Sequence, residues 1–300
     1  GSDKLTVVIS ARQPLGGGLP QRLPWVIGGV GLLLTIGAAL LTFRLIRSGR
    51  SAQRLAAENR RLYAEQHGIA TDLQRALLPD ELPQIDGLRL AGLYDAGMPG
   101  IDIGGDWYDM IRLGPDRLLL IVGDVSGRGI RAAAAMASVR SAIQYAAQVD
   151  APEVFLPKLS GLRSLRDNGM LATVLCVVID LQEQRVNITS AGHLPPLLVT
   201  GERATFLRSE VGLPIGVDTD TAYASTSFPV PDDACLLAFT DGLVERHDES
   251  LDEGLERLRL AAAAASNGDL EQMMTAILAR VRPPGSVDDT AMAGVRWVAA

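Results

Sequence analysis

The sequence predicts an α+β fold class, in which antiparallel sheets with outer helices follow one transmembrane helix and a second helical segment. From residue 87 onward, apolar strand-like runs occur in adjacent groups and do not alternate strictly with helical runs. Grouped strands favour antiparallel sheets with helices outside over a doubly wound parallel sheet. Before residue 80, one long apolar run is followed by a run with a seven-residue repeat, which indicates helix.

Composition sets the broad class of protein. The chain has 300 residues, of which 47% are hydrophobic, enough for a packed core in one large domain or two ordinary ones. Its net charge of −7 lacks the basic footprint of nucleic-acid-binding proteins, so we expect no nucleic-acid partner. Cys176 and Cys235 lie in apolar strand-like runs, which is typical of small buried side chains rather than a disulfide or a nucleophile.

The first 47 residues predict a remnant and a membrane span. Residues 1–20 carry one short strand-like run, at 5–10; we interpret them as the remnant of an extracytoplasmic region that begins with a cloning scar. Residues 21–47 are predicted to form the transmembrane helix, because an apolar run from 24 to 46 holds one charged residue, Arg44, and roughly 20 apolar residues cross a bilayer. A buried core helix and a signal peptide are the alternatives.

Basic residues predict how this helix crosses the membrane. Arginine occurs at the C-terminal end of the span and beyond it, at positions 44, 47, 50, 54, 60 and 61, whereas only Lys4, Arg12 and Arg22 lie before the apolar run or at its start. Because cytoplasmic flanks are enriched in basic residues, the sequence predicts a single-pass protein of the inner (plasma) membrane with its C-terminal domain in the cytoplasm.

Residues 48–79 predict a coiled-coil helix that links the span to the rest of the chain. A seven-residue repeat places Leu or Ile, and finally Ala, at one core position, with Asn59, Gln66 and Leu73 at the other. An asparagine in the seam favours a parallel two-stranded coil, so we expect a homodimer formed through this segment. The alternative is an amphipathic helix that lies on its own domain. Pro79 is expected to end the helix.

Residues 80–300 predict one globular domain. Strands are expected at 88–94, 117–123, 171–179, 185–191, 196–200, 234–240 and 293–298. Helices are expected at 130–148, 151–167, 251–264 and 269–281.

Four acidic segments lie in or beside turns of this domain. Asp124 and Asp241 each follow a predicted strand, Asp288 and Asp289 precede the last one, and Asp106 lies in a glycine turn after Gly104 and Gly105. A single Asp-Gly pair is usually a plain turn. Four acidic segments that abut core strands predict a divalent-cation site, since carboxylate oxygens are the ligands that hard cations require.

The motifs GGDWYD, GDVSGRG, AGHLPPLLV, GLPIGV, FTDGLVE and DDTAM occur in an order that resembles the PPM (type 2C) family of metal-dependent serine/threonine phosphatases. Within that family they resemble the bacterial SpoIIE/RsbU-like branch, over residues 70–300. The resemblance implies a four-layer αββα sandwich of two antiparallel sheets, with two or more Mn²⁺ or Mg²⁺ ions at one edge. It also implies a phosphorylated anti-sigma-factor antagonist as the substrate and partner.

The resemblance also implies which residues hold the metal ions. They are the carboxylates of Asp106, Asp124, Asp241 and Asp288, with Asp289 as the alternative to Asp288, and the backbone carbonyl of Val125. No protein nucleophile is then needed, because a metal-activated water attacks the phosphate.

Two residues near these motifs need a separate interpretation. Arg128 stands where relatives often carry histidine; it cannot donate a proton at neutral pH, but it can contact a phosphate, and the alternative is a solvated loop residue. His193 is interpreted as structural. A catalytically inactive receptor or scaffold with the same fold is the alternative function, and a nucleotide cyclase is disfavoured because the continuation of a cyclase loop is missing.

Overall fold

The computed structural model describes residues 19–79, 81–96, 104–246, 248–266, 268–282 and 288–298. The strand predicted at residues 5–10 lies outside these ranges. The chain divides into two compact units, Gly1–Leu62 and Tyr63–Ala300.

Helix α1 spans Leu19–Leu77 without a break. Its segment Leu23–Ser48 has 26 residues and no buried side chains, and by length and composition it is able to cross a membrane. Within this segment the hydroxyls of Thr35 and Thr42 donate hydrogen bonds to carbonyls four residues earlier, at 2.7 and 2.8 Å, which satisfies polar groups in an apolar setting. Among the predicted seam positions, Leu62 is exposed, and the side chains of Asn59 and Gln66 lie outside those described.

The second unit contains two sheets. Sheet A has the antiparallel order β1, β11, β10, β6, β7, formed by Leu88–Asp95, Thr290–Trp297, Cys235–Phe239, Leu197–Thr200 and Arg203–Phe206. Sheet B has the order β2, β3, β4, β5, β8, formed by Trp107–Arg112, Arg117–Val125, Ala172–Asp180, Arg185–Ala191 and Val211–Gly212. Strand β9 (Ser225–Pro229) also pairs with β5. Every pairing is antiparallel except that of the two-residue β8 with β5.

Five helices follow α1 in the described ranges. They are α2 (Ile130–Ala146), α3 (Pro152–Leu159), α4 (Arg163–Arg166), α5 (Leu251–Ala264) and α6 (Leu270–Val281). The prediction of a single helix at 151–167 is wrong, because the helical conformation is interrupted between α3 and α4. Gly161 lies in this break, and Pro157 has already removed one backbone donor from α3, so the helix has little local support for continuing.

The packing of β3 shows the order of the layers. Leu118, Leu120 and Val122 face a core shared with sheet A. The alternate residues Leu119 and Ile121 pack against α2 and α3 on the outer face, as the two-residue period of a strand requires. On the other side, sheet A packs against α5 and α6. The domain is therefore a four-layer αββα sandwich, and the predicted fold class is confirmed.

Candidate metal centre

The strand register brings the predicted carboxylates to one edge of the sandwich. Asp106 immediately precedes β2, and Asp124 lies near the end of β3, whose Gly123 pairs with Trp107 at the start of β2. In sheet A, Asp241 follows β10 in a short 3₁₀ turn (Asp241–Leu243). Each sheet thus contributes acidic residues at the ends of neighbouring antiparallel strands.

Three carboxylates meet at this edge. Asp106, Asp124 and Asp241 each offer one oxygen, and these oxygens lie within 4.8 Å of one another. Asp106 is buried and the other two are partly buried. No basic side chain of the described residues forms an ion pair with any of the three. A partly buried acidic group without basic partners has the oxygen donors and the negative charge that suit a divalent cation.

Electrostatics supports this interpretation. Burial, followed by the charge of Asp124, raises the pKa of Asp106 well above its usual value. Burial also raises the pKa of Asp124. Burial together with the charges of Asp124 and Asp288 raises the pKa of Asp241 to about 6. The three carboxylates therefore repel one another in the metal-free protein, and a bound cation would relieve that repulsion.

Asp288 and Asp289 lie beside this group and differ in their contacts. Asp289 is buried, and its Oδ2 accepts a hydrogen bond from the backbone N–H of Gly104 at 2.6 Å. Asp288 is half exposed, and its Oδ1 lies 3.4 Å from Nη2 of Arg128. Asp288 thus presents its carboxylate at the open edge, whereas Asp289 fixes the turn that leads to Asp106.

Comparison with known proteins decides the family. The family model described as Stage II sporulation protein E (SpoIIE) matches residues 114–298. The chain belongs to the SpoIIE family. Its homologues and structural neighbours are PP2C-type serine/threonine phosphatases, which confirms the resemblance predicted from the motifs.

Individual relatives agree with this assignment. The phosphoserine phosphatase RsbP of Bacillus subtilis is 27% identical over 183 residues, which are 59% of this chain and 44% of that protein. The RsbU and RsbW domains of Rv1364c from Mycobacterium tuberculosis are 26% identical, with a TM-score of 0.66, over 74% of this chain and 63% of theirs. RsbX, solved in complex with magnesium, has a similar fold (14% identity, TM-score 0.55, 73% and 99% covered). The chain spans less than half the length of the curated relatives it matches.

Thr240 links the two halves of the SpoIIE-family centre, and sequence analysis missed it. Its hydroxyl donates to Oδ2 of Asp106 at 2.6 Å and accepts from the N–H of Ala291 at 2.9 Å. The bond orients the buried Asp106 carboxylate. The sequence feature that could have identified Thr240 is its position directly before Asp241 in the FTDGLVE motif.

Gly105 allows β2 and β3 to approach closely at the centre. The N–H of Val125 donates to the carbonyl of Gly105 at 3.1 Å. A Cβ on Gly105 would overlap the backbone of Val125, including the carbonyl oxygen that was predicted as a metal ligand. A Cβ on Gly104 would overlap the side chain of Asp289, and a Cβ on Gly242 would overlap the backbone carbonyl oxygen of Asp289. These glycines therefore keep the backbone at the site unobstructed.

We expect Gly105→Ala to weaken Mn²⁺ binding at least about tenfold, because groups that orient metal ligands typically contribute 10–100-fold to affinity. The added methyl group must displace Val125 and the adjoining Asp124. Isothermal titration with Mn²⁺ measures the effect. Gly114→Ala is the matched control, since its Cβ would meet only Arg117 at 4.0 Å. Equal affinities for the two variants would contradict the expectation.

Two other polar residues that the structure describes lie outside the carboxylate group. Asp109 is bound by Arg140 and Gln144 of α2. His193 is buried, and burial lowers its pKa to about 4. His247 lies outside the described residues. Both cysteines are free and buried, as predicted.

Proposed function

We propose that this chain is a membrane-anchored, metal-dependent phosphatase that hydrolyses phosphoserine or phosphothreonine in a protein substrate. The observation that carries the proposal is the convergence of Asp106, Asp124 and Asp241 at one edge of a SpoIIE-family sandwich. The acidic group suits cations that can bind a phosphate, and attack by a metal-activated water needs no protein nucleophile.

The residues that would hold two or more Mn²⁺ or Mg²⁺ ions are Asp106, Asp124, Asp241, Asp288 and the carbonyl of Val125. When bound, such ions supply a water of lowered pKa and neutralise the phosphoryl oxygens. Oxygen-only ligands favour Mn²⁺ or Mg²⁺ over Zn²⁺. Thr240 would hold the Asp106 carboxylate in one orientation.

We assign Asp288 rather than Asp289 as the fourth carboxylate ligand. In addition to burial, the charge of Asp288 raises the pKa of both Asp124 and Asp241, and the charge of Asp289 raises that of Asp124. Asp289 already accepts the N–H of Gly104, so its role is to fix the backbone of the glycine turn.

Arg128 is proposed to contact the substrate phosphate. It lies at the open edge of the centre with 45% of its side chain exposed, next to Asp288. A guanidinium has five N–H donors, so one contact with Asp288 leaves others for a phosphate oxygen.

The test is Mn²⁺-dependent release of phosphate from p-nitrophenyl phosphate by the wild type and by Asp241→Asn. We expect the variant to lose at least about 100-fold in rate, because loss of a ligand costs more than loss of a ligand's partner. Asp86→Asn, at an exposed carboxylate in another turn, is the control. Equal rates for wild type and Asp241→Asn would refute the proposal, and a wild type without Mn²⁺-dependent activity would favour the inactive scaffold.

The proposed substrate and partner is a phosphorylated anti-sigma-factor antagonist. RsbP is by name a phosphoserine phosphatase, and Rv1364c joins an RsbU domain to an RsbW domain. A comparison of phosphoproteomes with and without the gene tests the assignment, because the substrate should keep its phosphate when the gene is deleted.

The proposed arrangement has four parts. They are an extracytoplasmic remnant (residues 1–20), a transmembrane helix (21–47), a coiled-coil linker (48–79) and a cytoplasmic phosphatase domain (80–300). The exposed apolar segment Leu23–Ser48 and the arginines that follow it support a single pass through the inner membrane. The linker is proposed to form a homodimer.

Replacing both Asn59 and Gln66 with leucine should tighten the dimer and change the basal phosphatase rate. We expect the dissociation constant to fall at least about tenfold, because one buried leucine contributes about 1.5–3 kcal/mol. Analytical ultracentrifugation in detergent measures the first effect and p-nitrophenyl phosphate the second. Glu58→Gln, at an exposed helical residue, is the control. If neither dimerisation nor rate changes, the linker does not couple to the phosphatase domain in this way.

A further inference from the structure

A cleft of about 380 Å³ opens beside the carboxylate group. This volume lies in the range of small-molecule sites in proteins, roughly 300–1,000 Å³. Its polar lining residues include Asp124, Asp241, His193, Glu245, Arg246 and Glu249. The carboxylates assigned to metal ions form one part of the lining, and the remaining residues have no role in the proposed hydrolysis.

His193 contributes a buried hydrogen-bond acceptor to this cleft. The residue is 5% exposed, and its backbone is held by two hydrogen bonds with the hydroxyl of Ser190, at 3.0 and 3.1 Å. Its Nδ1 lies 3.2 Å from the carbonyl of Leu194, so Nδ1 carries the proton and donates it. Nε2 is then an acceptor, and no group in the described ranges hydrogen-bonds to it.

Glu245 contributes an uncompensated negative charge. It is exposed, it follows Asp241 by one turn, and it lies outside the group of three convergent carboxylates. No ion pair in the described part of the chain involves it. Glu249 differs, because its two oxygens are bound by Arg246 and Arg257.

Arg246 forms no ion pair with Glu245 among the described residues, and its two terminal nitrogens contact other groups. Nη1 donates to Glu249 at 3.0 Å, and Nη2 donates to the carbonyl of Val281 at 3.0 Å. The cleft therefore offers a buried acceptor and a carboxylate that forms no ion pair within the described residues. A cationic donor from another molecule would satisfy both.

We propose that this cleft binds a lysine or arginine side chain that lies close in sequence to the phosphorylated residue of the protein substrate. The cationic group pairs with the Glu245 carboxylate and donates a hydrogen bond to Nε2 of His193. The inference rests on the proposed phosphatase function and adds a preference for basic residues to it. Because the cleft adjoins the phosphate site and an extended chain advances about 3.3 Å per residue, the basic residue falls within two or three positions of the phosphoserine.

The test uses the full chain in detergent with Mn²⁺ and a set of synthetic phosphoserine peptides. Each peptide carries one lysine at a position from three residues before to three residues after the phosphoserine, and is matched by a peptide with methionine there. At one position, we expect kcat/KM for the lysine peptide to be about ten times that for the matched methionine peptide. The difference should lie mainly in KM, as for a specific charge pair.

In Glu245→Gln this ratio should fall to about one, and in His193→Gln it should fall part of the way. Glu202→Gln, which neutralises an exposed glutamate in the turn between β6 and β7, should keep the ratio of ten. The midpoint of thermal unfolding is measured for each variant. A variant that loses the lysine preference but keeps the wild-type midpoint identifies a residue that acts in binding rather than in folding.

Three results would overturn the proposal. A ratio of one at every position, with p-nitrophenyl phosphate still hydrolysed by the wild type, removes the preference but leaves the phosphatase function. A Mn²⁺ stoichiometry that drops by one ion in Glu245→Gln identifies a cation site instead of a peptide site. A wild type that hydrolyses neither substrate refutes the phosphatase function and this inference with it.

Discussion

Asp124→Asn is expected to stabilise the metal-free protein while it abolishes phosphatase activity. In the wild type, Asp124 is partly buried beside Asp106 and Asp241. Burial raises the pKa of all three carboxyls, and the charge of Asp124 raises those of Asp106 and Asp241 further. An asparagine removes one of the charges, and its side-chain amide can form a hydrogen bond with Asp106. We expect a gain of about 1–2 kcal/mol near neutral pH, the equivalent of about one pKa unit of repulsion. The thermal midpoint would rise by about 2–8 °C.

The pH dependence of the metal-free protein follows from the same groups. The folded-state pKa of Asp241, about 6, lies above that of an unfolded aspartate, about 3.9. Protonation of Asp241 therefore stabilises the folded state. This contribution is fully present below pH 4 and is lost as pH rises through 6. In EDTA, these carboxylates should make the wild type less stable at pH 7.5 than at pH 5.5, and Asp124→Asn should reduce the difference.

Differential scanning fluorimetry in EDTA at both pH values checks these expectations. Asp86→Asn again serves as the control and should leave both midpoints within about 1 °C, as surface substitutions usually do. A midpoint for Asp124→Asn below that of the wild type at pH 7.5 would show that the carboxylates do not repel one another. Mn²⁺ should raise the wild-type midpoint and leave that of Asp124→Asn nearly unchanged.

Arg140→Met is expected to have the largest effect on stability. Asp109 lies in the middle of β2 with 3% of its surface exposed. Its Oδ2 accepts hydrogen bonds from Nε of Arg140 at 2.8 Å and from Gln144 at 2.7 Å. Loss of the arginine leaves a buried carboxylate without a counter-charge, which typically costs about 3–5 kcal/mol. For a domain of this size we expect the thermal midpoint to fall by about 6–20 °C.

A double variant distinguishes the charge from the packing. Asp109→Leu combined with Arg140→Met replaces the pair by apolar side chains and should restore most of the loss, because such replacements are often neutral. Arg163→Met, which removes the exposed partner of Asp167, should cost less than about 1 kcal/mol. If Arg140→Met loses no more stability than Arg163→Met, the buried pair of Asp109 and Arg140 does not hold α2 against sheet B.

Local sequence signals predicted most of the elements. Helix α5 begins and ends as predicted, because Ser250 and Glu253 form a capping box at its start. Strand β2 was missed, and only the glycine turn that precedes it was predicted. Its central Asp109 is a poor strand residue locally, and the partner that compensates it, Arg140, lies 31 residues further along the chain. The short edge strands β7 and β9 were missed because their mostly exposed residues carry a weak apolar pattern.

The candidate site was predictable to a similar extent. The convergence was predicted from Asp124 and Asp241 after predicted strands and from Asp106 in a glycine turn, because antiparallel neighbours place strand ends side by side. The contact of Asp289 with Gly104 spans 185 residues, and that of Arg128 with Asp288 spans 160. Contacts of this range depend on how the two sheets stack, which no short motif specifies.

The hydroxyl of Thr240 has a consequence for how the protein matures. Asp106 and Asp124 belong to sheet B, whereas Asp241 and Asp288 belong to sheet A and lie more than a hundred residues later. During synthesis, a chain that has emerged only as far as β9 holds half of the acidic centre and lacks the threonine that orients Asp106. The proposed metal-dependent activity would thus be acquired last, and a truncated or partly folded polypeptide would lack it.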